Sequence, residues 1–194
     1  MTLGIIFSVM TIRIPLKWIV LFLFLGIEAL ILRLFAVSPE KDRAVIAFEG
    51  TVVAGAFALF VYMQGVEAQQ SRAADKLFER WNNPAMAAYK NIGRDVRRGI
   101  LDPITLARTS QNVVFAEPQK TQRTEMLGLL SFYEEICLAI RMREANEEKL
   151  KRYFKAVMVQ TFTKAKSFID KERGVDNDLT YYIEFEKVFE VWKK

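Results

Sequence analysis

The chain has 194 residues, of which 52% are hydrophobic and 26% are charged, and its formal net charge is +5. It has no histidine and a single cysteine, Cys137, so it lacks the commonest general base and metal ligand and cannot form an intrachain disulfide. The length suffices for one small domain and a membrane segment. Cys137 sits in an apolar run and is predicted to be a small core residue rather than a nucleophile.

Two apolar segments near the N-terminus are each long enough to cross a membrane. They run from about residue 16 to 37 and from 44 to 63, and a spanning helix needs about 20 residues. The polar residues 38–43 between them include the helix breaker Pro39. So short a connection predicts a transmembrane hairpin of two antiparallel helices within residues 1–63. A cleaved signal peptide would be shorter and would end in a small-residue cleavage site, which this sequence lacks.

Basic residues flank the two segments unevenly. Arg13 and Lys17 precede the first segment, and three more basic residues follow the second between residues 72 and 80. In the connection, Lys41 and Arg43 are offset by two acidic residues. The positive-inside rule therefore predicts that both termini lie in the cytoplasm.

Three charged residues fall inside the apolar segments, namely Glu28, Arg33 and Glu49. Arg33 is about 6 Å and Glu49 about 7.5 Å from the same end of the hairpin, so these two side chains are placed to pair. Glu28 lies deeper, and it is expected to be protonated or to pair with another subunit. Two interpretations stay open: an oligomeric pore or proton-sensitive element, and a hydrogen bond that helps the helices pack. Small residues permit close helix approach along the second segment: Ala47, Gly50, Ala54 and Ala58.

The rest of the chain is predicted to be all-helical, with a stalk helix over residues 64–83 and a cytoplasmic helical domain over residues 84–194. Asn83 and Asp102 each precede a proline, which is a pattern typical of a helix start. Gly99 is predicted to end the first helix of the domain. A short helix to about residue 109, a loop over 110–121 and a helix over 122–145 follow.

The last two helices are bounded by cap residues. Asn146 is predicted to cap a helix that stops at Gly174, and Asp178 to cap the final helix. Apolar residues recur in both helices at the spacing of one buried face. No segment has the alternation that is typical of a strand.

No pattern of residues indicates catalysis. The sequence has no glycine-rich phosphate loop, and a catalytic triad cannot be built without histidine, apart from rare lysine-based variants. The adjacent acids at 134–135 and 147–148 point in different directions on a helix, and they are predicted to be solvated or to pair with arginines. We therefore predict no enzymatic activity, no metal site and no cofactor.

Two stripes of basic residues each share one face of a helix. The first basic stripe comprises Arg72, Lys76 and Arg80, and the second basic stripe comprises Lys90, Arg94, Arg97 and Arg98. Neighbouring acids favour an ordinary solvated face. Binding to lipid headgroups and binding to nucleic acid stay open as alternatives.

A short run after the apolar segments carries a resemblance to a known group of proteins. The residues are Arg80-Trp81-Asn82-Asn83-Pro84, followed later by Phe132-Tyr133-Glu134-Glu135 and an aromatic C-terminal helix. Together with two N-terminal membrane helices, this pattern resembles small bacterial membrane proteins of unknown function. It is also similar to the two-transmembrane effectors that retron anti-phage systems encode beside a reverse transcriptase.

The resemblance implies a function in outline. A reverse transcriptase with its RNA–DNA product would hold the effector inactive, and phage attack would release it to compromise the bacterial inner membrane. The hairpin would be the toxic element, able to form a homo-oligomer in the lipid bilayer, and the second basic stripe would contact the nucleic acid or the reverse transcriptase. The alternative is a constitutive membrane-anchored adaptor whose helical domain binds a cytoplasmic protein. A channel or transporter subunit is a third, weaker hypothesis, because two helices offer few internal polar groups.

Overall fold

The computed structural model describes residues 16–194, and every regular element in this range is a helix, as predicted. Arg13, which contributed to the predicted orientation, lies outside the described residues. The six α-helices are α1 (Leu16–Val37), α2 (Glu40–Asn82), α3 (Ala87–Arg98), α4 (Gln119–Arg141), α5 (Glu147–Asp176) and α6 (Ile183–Trp192). Short 3₁₀ helices occur at Pro84–Met86 and Pro103–Leu106.

Contacts divide the chain into two compact units. The N-terminal unit is Met1–Gly65 and the helical unit is Val66–Lys194, so helix α2 contributes residues to both. Ala74, Leu77 and Trp81 are buried, and the part of α2 that the sequence indicates as a stalk therefore packs into the core of the helical unit.

In the N-terminal unit the large apolar side chains face outward. Those of α1 and the first half of α2 are mostly exposed among the described residues, from Phe22 to Met63. Two contacts join the helices: the rings of Phe24 and Phe57 have centroids 4.9 Å apart, and Gly50 lies against Ile31, where an added Cβ would be 3.3 Å from the Cγ2 atom.

The helical unit is built around an aromatic cluster. Trp81 of α2 stacks on Phe132 of α4 with ring centroids 5.3 Å apart, and it meets Phe154 of α5 edge to face at 5.6 Å. Tyr133 and Phe185 extend the cluster from α4 to α6, with centroids 5.4 Å apart. Such ring pairs stabilise a core beyond their buried area, so this cluster ties four helices together.

The apolar periodicity of α4 and α5 predicted their buried faces correctly. The α4 face is fully or almost fully buried: Met126, Leu130, Tyr133, Cys137 and Ile140. The predicted α5 face is buried as well, apart from a half-buried Val157: Leu150, Phe154, Thr161, Ala165 and Phe168. Cys137 is completely buried, which confirms its place as a core residue, and this burial raises the pKa of its thiol.

Several predicted helix boundaries are confirmed by the cap geometry. The Asn83, Asp102 and Asn146 side chains each accept a hydrogen bond from a backbone N–H of the helix that follows. Gly99 ends α3 with φ 72°, a left-handed conformation that glycine adopts without the steric cost of a Cβ. These local signals identified the boundaries because each cap is formed by residues adjacent in sequence.

Two predicted boundaries are wrong. Helix α5 passes through Gly174 and ends at Asp176, where Asn177 takes the left-handed conformation with φ 50°. Asp178 does not cap α6, because its carboxylate accepts from the backbone N–H and the hydroxyl of Thr180, 2.8 and 2.6 Å away. Three further elements differ from their predicted bounds: the helix after Pro103 ends at Leu106, α4 spans Gln119–Arg141, and α6 begins only at Ile183.

Phe154→Ala should destabilise the helical unit by about 3–5 kcal/mol, because it removes a fully buried ring that contacts Trp81 and Phe132. Guanidinium denaturation of the full chain in detergent micelles, followed by tryptophan fluorescence, measures the change. Leu179→Ala is the control, since Leu179 is 74% exposed and its loss should change the free energy of unfolding by less than about 0.5 kcal/mol. Equal effects of the two changes would contradict the assigned core.

Candidate functional site

One helix among the described residues is long and apolar enough to cross a membrane, judged by length and composition. It is Ala44–Asn82, and no part of its most apolar window is buried. A contiguous exposed apolar surface of this kind is typical of a membrane or protein contact rather than of a surface in water.

The three charged residues of the apolar segments occupy two kinds of position. Glu28 is half-buried and lines a groove of about 360 Å³ between α1 and α2, beside Ala47, Gly50 and Thr51. Arg33 and Glu49 are exposed, and the ion pairs among the described residues include neither of them. The pair that the sequence suggested between Arg33 and Glu49 is thus not formed within the chain.

The turn at residues 80–84, which carries the resemblance described above, connects α2 to the rest of the helical unit. Trp81 is only 9% exposed, and the Arg80 Nη1 atom lies 2.5 Å from Glu135 Oε2 while its guanidinium stands over the Phe132 ring. Asn82 Oδ1 accepts from the Tyr153 hydroxyl at 3.4 Å. These contacts are structural, since they anchor the end of α2 to α4 and α5.

In the second basic stripe, which lies on α3, two cations face inward and two face outward. Lys90 is half-buried with its Nζ 5.8 Å from the centre of the Trp81 ring, and Arg97 Nη1 donates to Thr161 Oγ1 at 3.3 Å. Arg94 and Arg98 are exposed. Only these last two are available to bind an anionic partner, although the spacing placed all four on one face.

Arg97 also affects a neighbouring tyrosine. The Tyr133 side chain is completely buried, and burial raises its pKa to about 12, although the nearby Arg97 charge lowers it. The half-buried Arg97 therefore lies close to the buried Tyr133 as well as to Thr161.

The first basic stripe, which lies on α2, also has both free and paired cations. Arg72 and Lys76 are exposed and take part in none of the ion pairs that the described residues form. Arg80, in contrast, is held by Glu135. Within the two stripes, the exposed cations suited to an anionic partner are therefore Arg72, Lys76, Arg94 and Arg98.

A charged cluster centred on Glu172 was not predicted from the sequence. Glu172 is 2% exposed, and its carboxylate accepts from the backbone N–H and the Nε of Arg108 at 2.8 and 2.7 Å and from Arg123 Nη2 at 2.7 Å. Arg108 also pairs with Asp176. A buried carboxylate needs such compensation, and here two arginines separated widely in sequence supply it.

This cluster lines a cavity of about 610 Å³ in the helical unit, together with polar groups of α4 and of the segment before α6. Its arginines are already neutralised by Glu172 and Asp176, so the cavity has no free cation to hold a phosphate. No sequence signal identified the cluster, because its partners lie far apart along the chain and none stands in a motif.

Helix α6 has its first N–H groups capped by another helix. The Glu134 carboxylate on α4 accepts from the backbone N–H groups of Glu184 and Phe185 at 2.9 and 2.6 Å. Burial raises the pKa of Glu134, and the two backbone hydrogen bonds act in the opposite direction. Glu134 and Glu135 therefore have separate structural tasks, since Glu135 binds Arg80.

These features define a helical protein with one candidate membrane-spanning helix and a compact helical unit. The family model described as Domain of unknown function (DUF4760) matches residues 45–192. This match covers more than half of the chain, and the protein belongs to that family. No curated protein and no solved structure matches the chain.

Glu172→Gln should cost about 3–5 kcal/mol of unfolding free energy, because it removes the buried carboxylate that pairs with Arg123 and leaves Arg108 with Asp176 alone. Denaturant unfolding in micelles measures the loss. Glu190→Gln makes the same chemical change in the exposed pair with Lys193 and should cost less than about 1 kcal/mol. A Glu172 variant as stable as the Glu190 variant would show that the cluster does not stabilise the fold.

Asp176→Asn should weaken the dependence of stability on acid pH. The hydrogen bond from Arg108 holds the pKa of Asp176 below its ordinary value, so the folded state favours the charged carboxylate. That contribution is complete above a pH of about 4 and is lost as the pH falls through the lowered pKa. Melting temperatures between about pH 2 and pH 6 should fall less steeply for Asp176→Asn than for the wild type, and parallel curves would contradict the effect.

Proposed function

We propose that the chain is the membrane effector of a retron-like anti-phage defence system in bacteria. In this proposal α1 and the first half of α2 form a hairpin in the inner membrane with both termini in the cytoplasm. A reverse transcriptase with its RNA–DNA product holds the helical unit inactive, and release lets the hairpin compromise the membrane and stop growth. The resemblance carried by residues 80–84 and 132–135 supports the defence part of the proposal.

The membrane part rests on one observation, the outward-facing apolar side chains of the N-terminal unit. Side chains such as Phe22, Leu32, Phe48 and Leu59 are more than half exposed. Keeping apolar surface in water costs about 25 cal/mol for each Å², so a surface of this extent favours a bilayer. Two antiparallel helices also satisfy their own backbone hydrogen bonds, as a spanning structure must.

The partner-binding part is supported by the exposed cations of the helical unit. Arg72, Lys76 and Arg98 take part in none of the ion pairs of the described residues, whereas Arg94 lies 4.0 Å from Asp95 and donates to Asn91 Oδ1 at 3.1 Å. Unpaired surface cations suit the phosphates of a nucleic acid. We therefore assign the contact with the RNA–DNA product to these four residues rather than to Lys90 and Arg97, which are half-buried.

A second candidate function is favoured by two exposed apolar side chains at the C-terminal end of α4. Leu138 and the C-cap residue Met142 are 48% and 63% exposed, and residues four apart lie on one side of a helical turn. Such a face suits a protein partner. A constitutive adaptor that holds a cytoplasmic protein at the membrane would use this face and would need no toxic hairpin.

Expression of the chain alone from a tightly controlled promoter separates the two functions. An effector should depolarise the inner membrane and reduce viability within minutes to hours, and co-expression of the neighbouring reverse transcriptase and its RNA should suppress both effects. The measurement is a potential-sensitive dye with colony counts, at confirmed membrane expression. Unchanged potential and growth would reject the effector function and favour the adaptor.

Variants locate the function in the chain. Arg94→Gln with Arg98→Gln should weaken suppression by the reverse transcriptase complex while toxicity alone is kept. Lys164→Gln with Lys171→Gln is the matched control, because both lysines are exposed on α5 and lie outside the ion pairs of the described residues. Suppression that stays intact in the Arg94 and Arg98 variant would remove these residues from the proposed contact.

Toxicity unchanged by alanine at Glu28, Arg33 and Glu49 would exclude a specific role for the embedded charges.

A further inference from the structure

The two contacts between α1 and α2 set the register of these helices. Phe24 meets Phe57 and Ile31 meets Gly50, so seven residues forward along α1 correspond to seven residues backward along α2. The helices are therefore antiparallel over this stretch. By the same register Arg33 is level with Phe48, about one residue rise of 1.5 Å from Glu49.

Arg33 and Glu49 are thus opposite charges at the same level that do not meet. Both side chains are exposed, and the ion pairs within the described part of the chain include neither. Each charge therefore stands on the outer, otherwise apolar surface of the two helices, next to exposed side chains such as Leu32 and Phe48. An unpaired charge on a lipid-facing surface is unfavourable, and embedded ionisable side chains almost always pair or face a protein interior.

The partner that fits this pattern is a second copy of the same chain. Copies inserted with the same topology are related by rotation about an axis along the membrane normal, and such a rotation keeps every residue at its own depth. An arginine then meets most readily an acid close to its own level in the neighbouring copy. Glu49 satisfies this condition, whereas Glu28 is five residues from Arg33, about 7.5 Å along α1.

We infer that the membrane segments self-associate through an ion pair between Arg33 of one copy and Glu49 of the next. This inference rests on the proposed membrane placement of α1 and the first half of α2. A twofold arrangement would form the pair twice, and a ring would form it once at each interface.

A charge-exchange cycle in the full chain tests the pair. The proteins are the wild type, Arg33→Glu, Glu49→Arg and the double variant Arg33→Glu with Glu49→Arg, each in lipid nanodiscs and detergent at several dilutions. Light scattering gives the mass of the assembly, and carbonate extraction gives the fraction integrated in the membrane. Each single reversal should weaken association at least about tenfold, since it brings like charges together, and the double variant should recover to within about threefold of the wild type.

Glu67→Lys is the matched control for charge reversal. Glu67 is exposed on the same helix, beyond the apolar segment, and lies outside the ion pairs of the described residues. It should leave association unchanged. A loss as large as that of Glu49→Arg would show a general effect of charge and would overturn the specific pair.

Cysteine cross-linking gives a second measurement that does not depend on stability. Chains carrying Arg33→Cys and chains carrying Glu49→Cys, co-expressed, should form a mixed disulfide dimer on mild oxidation. The native Cys137 is buried and should not react. A mixed dimer no more abundant than with Glu67→Cys would overturn the inference.

The outcomes separate the inference from the function on which it rests. A wild-type chain that is monomeric and fully membrane-integrated overturns the ion pair alone, with Arg33 extending to lipid headgroups instead. If carbonate removes the chain from the membrane, both the ion pair and the proposed membrane placement are overturned. Failure of the double variant to recover, while it remains integrated, overturns the pair and leaves the membrane anchor intact.

Discussion

The docking of Trp81 into the aromatic cluster is the interaction on which the rest of the structure depends. Helix α2 contributes residues to both compact units, and Trp81 is the residue near its end that contacts both Phe132 and Phe154. The Arg80–Glu135 pair and the Asn83 cap fix the chain direction immediately around it. The turn that carries the resemblance is therefore a joint between α2 and the core, and its unusual composition reflects packing.

Two carboxylates of the helical unit bind charged and polar groups that the apolar core cannot satisfy. Glu172 is the buried centre of a cluster with two arginines, and Glu134 supplies the acceptors that the start of α6 lacks. Because an unsatisfied buried polar group is costly, each of these acids is held by at least two donors. These polar groups therefore stabilise the fold of the helical unit. The exposed cations and the proposed membrane segments are left as the candidate functional surfaces.

The proposed function and the inferred assembly concern different surfaces of the chain. The exposed cations Arg72, Lys76, Arg94 and Arg98 suit an anionic partner, while the inferred pair between Arg33 and Glu49 would join copies of the chain through the proposed membrane segments. An effector that is restrained through one surface and assembles through another would couple partner release to membrane damage. The description of the matching family names no function. The proposal therefore rests on these surfaces, and the variants described above test it.

Periodicity and local caps in the sequence determined the helical class, the buried faces of α4 and α5, and the boundaries at Asn83, Gly99 and Asn146. These features depend on residues within a few positions of each other, so a single sequence displays them. Only the tertiary structure decided which cations turn inward, because Lys90 and Arg97 respond to Trp81 and Thr161 on other helices. It also decided the Glu172 cluster and the start of α6, where Asp178 bonds to Thr180 and Glu134 supplies the cap across a distance of about fifty residues. Contacts between residues so far apart follow from packing, and no local pattern encodes them.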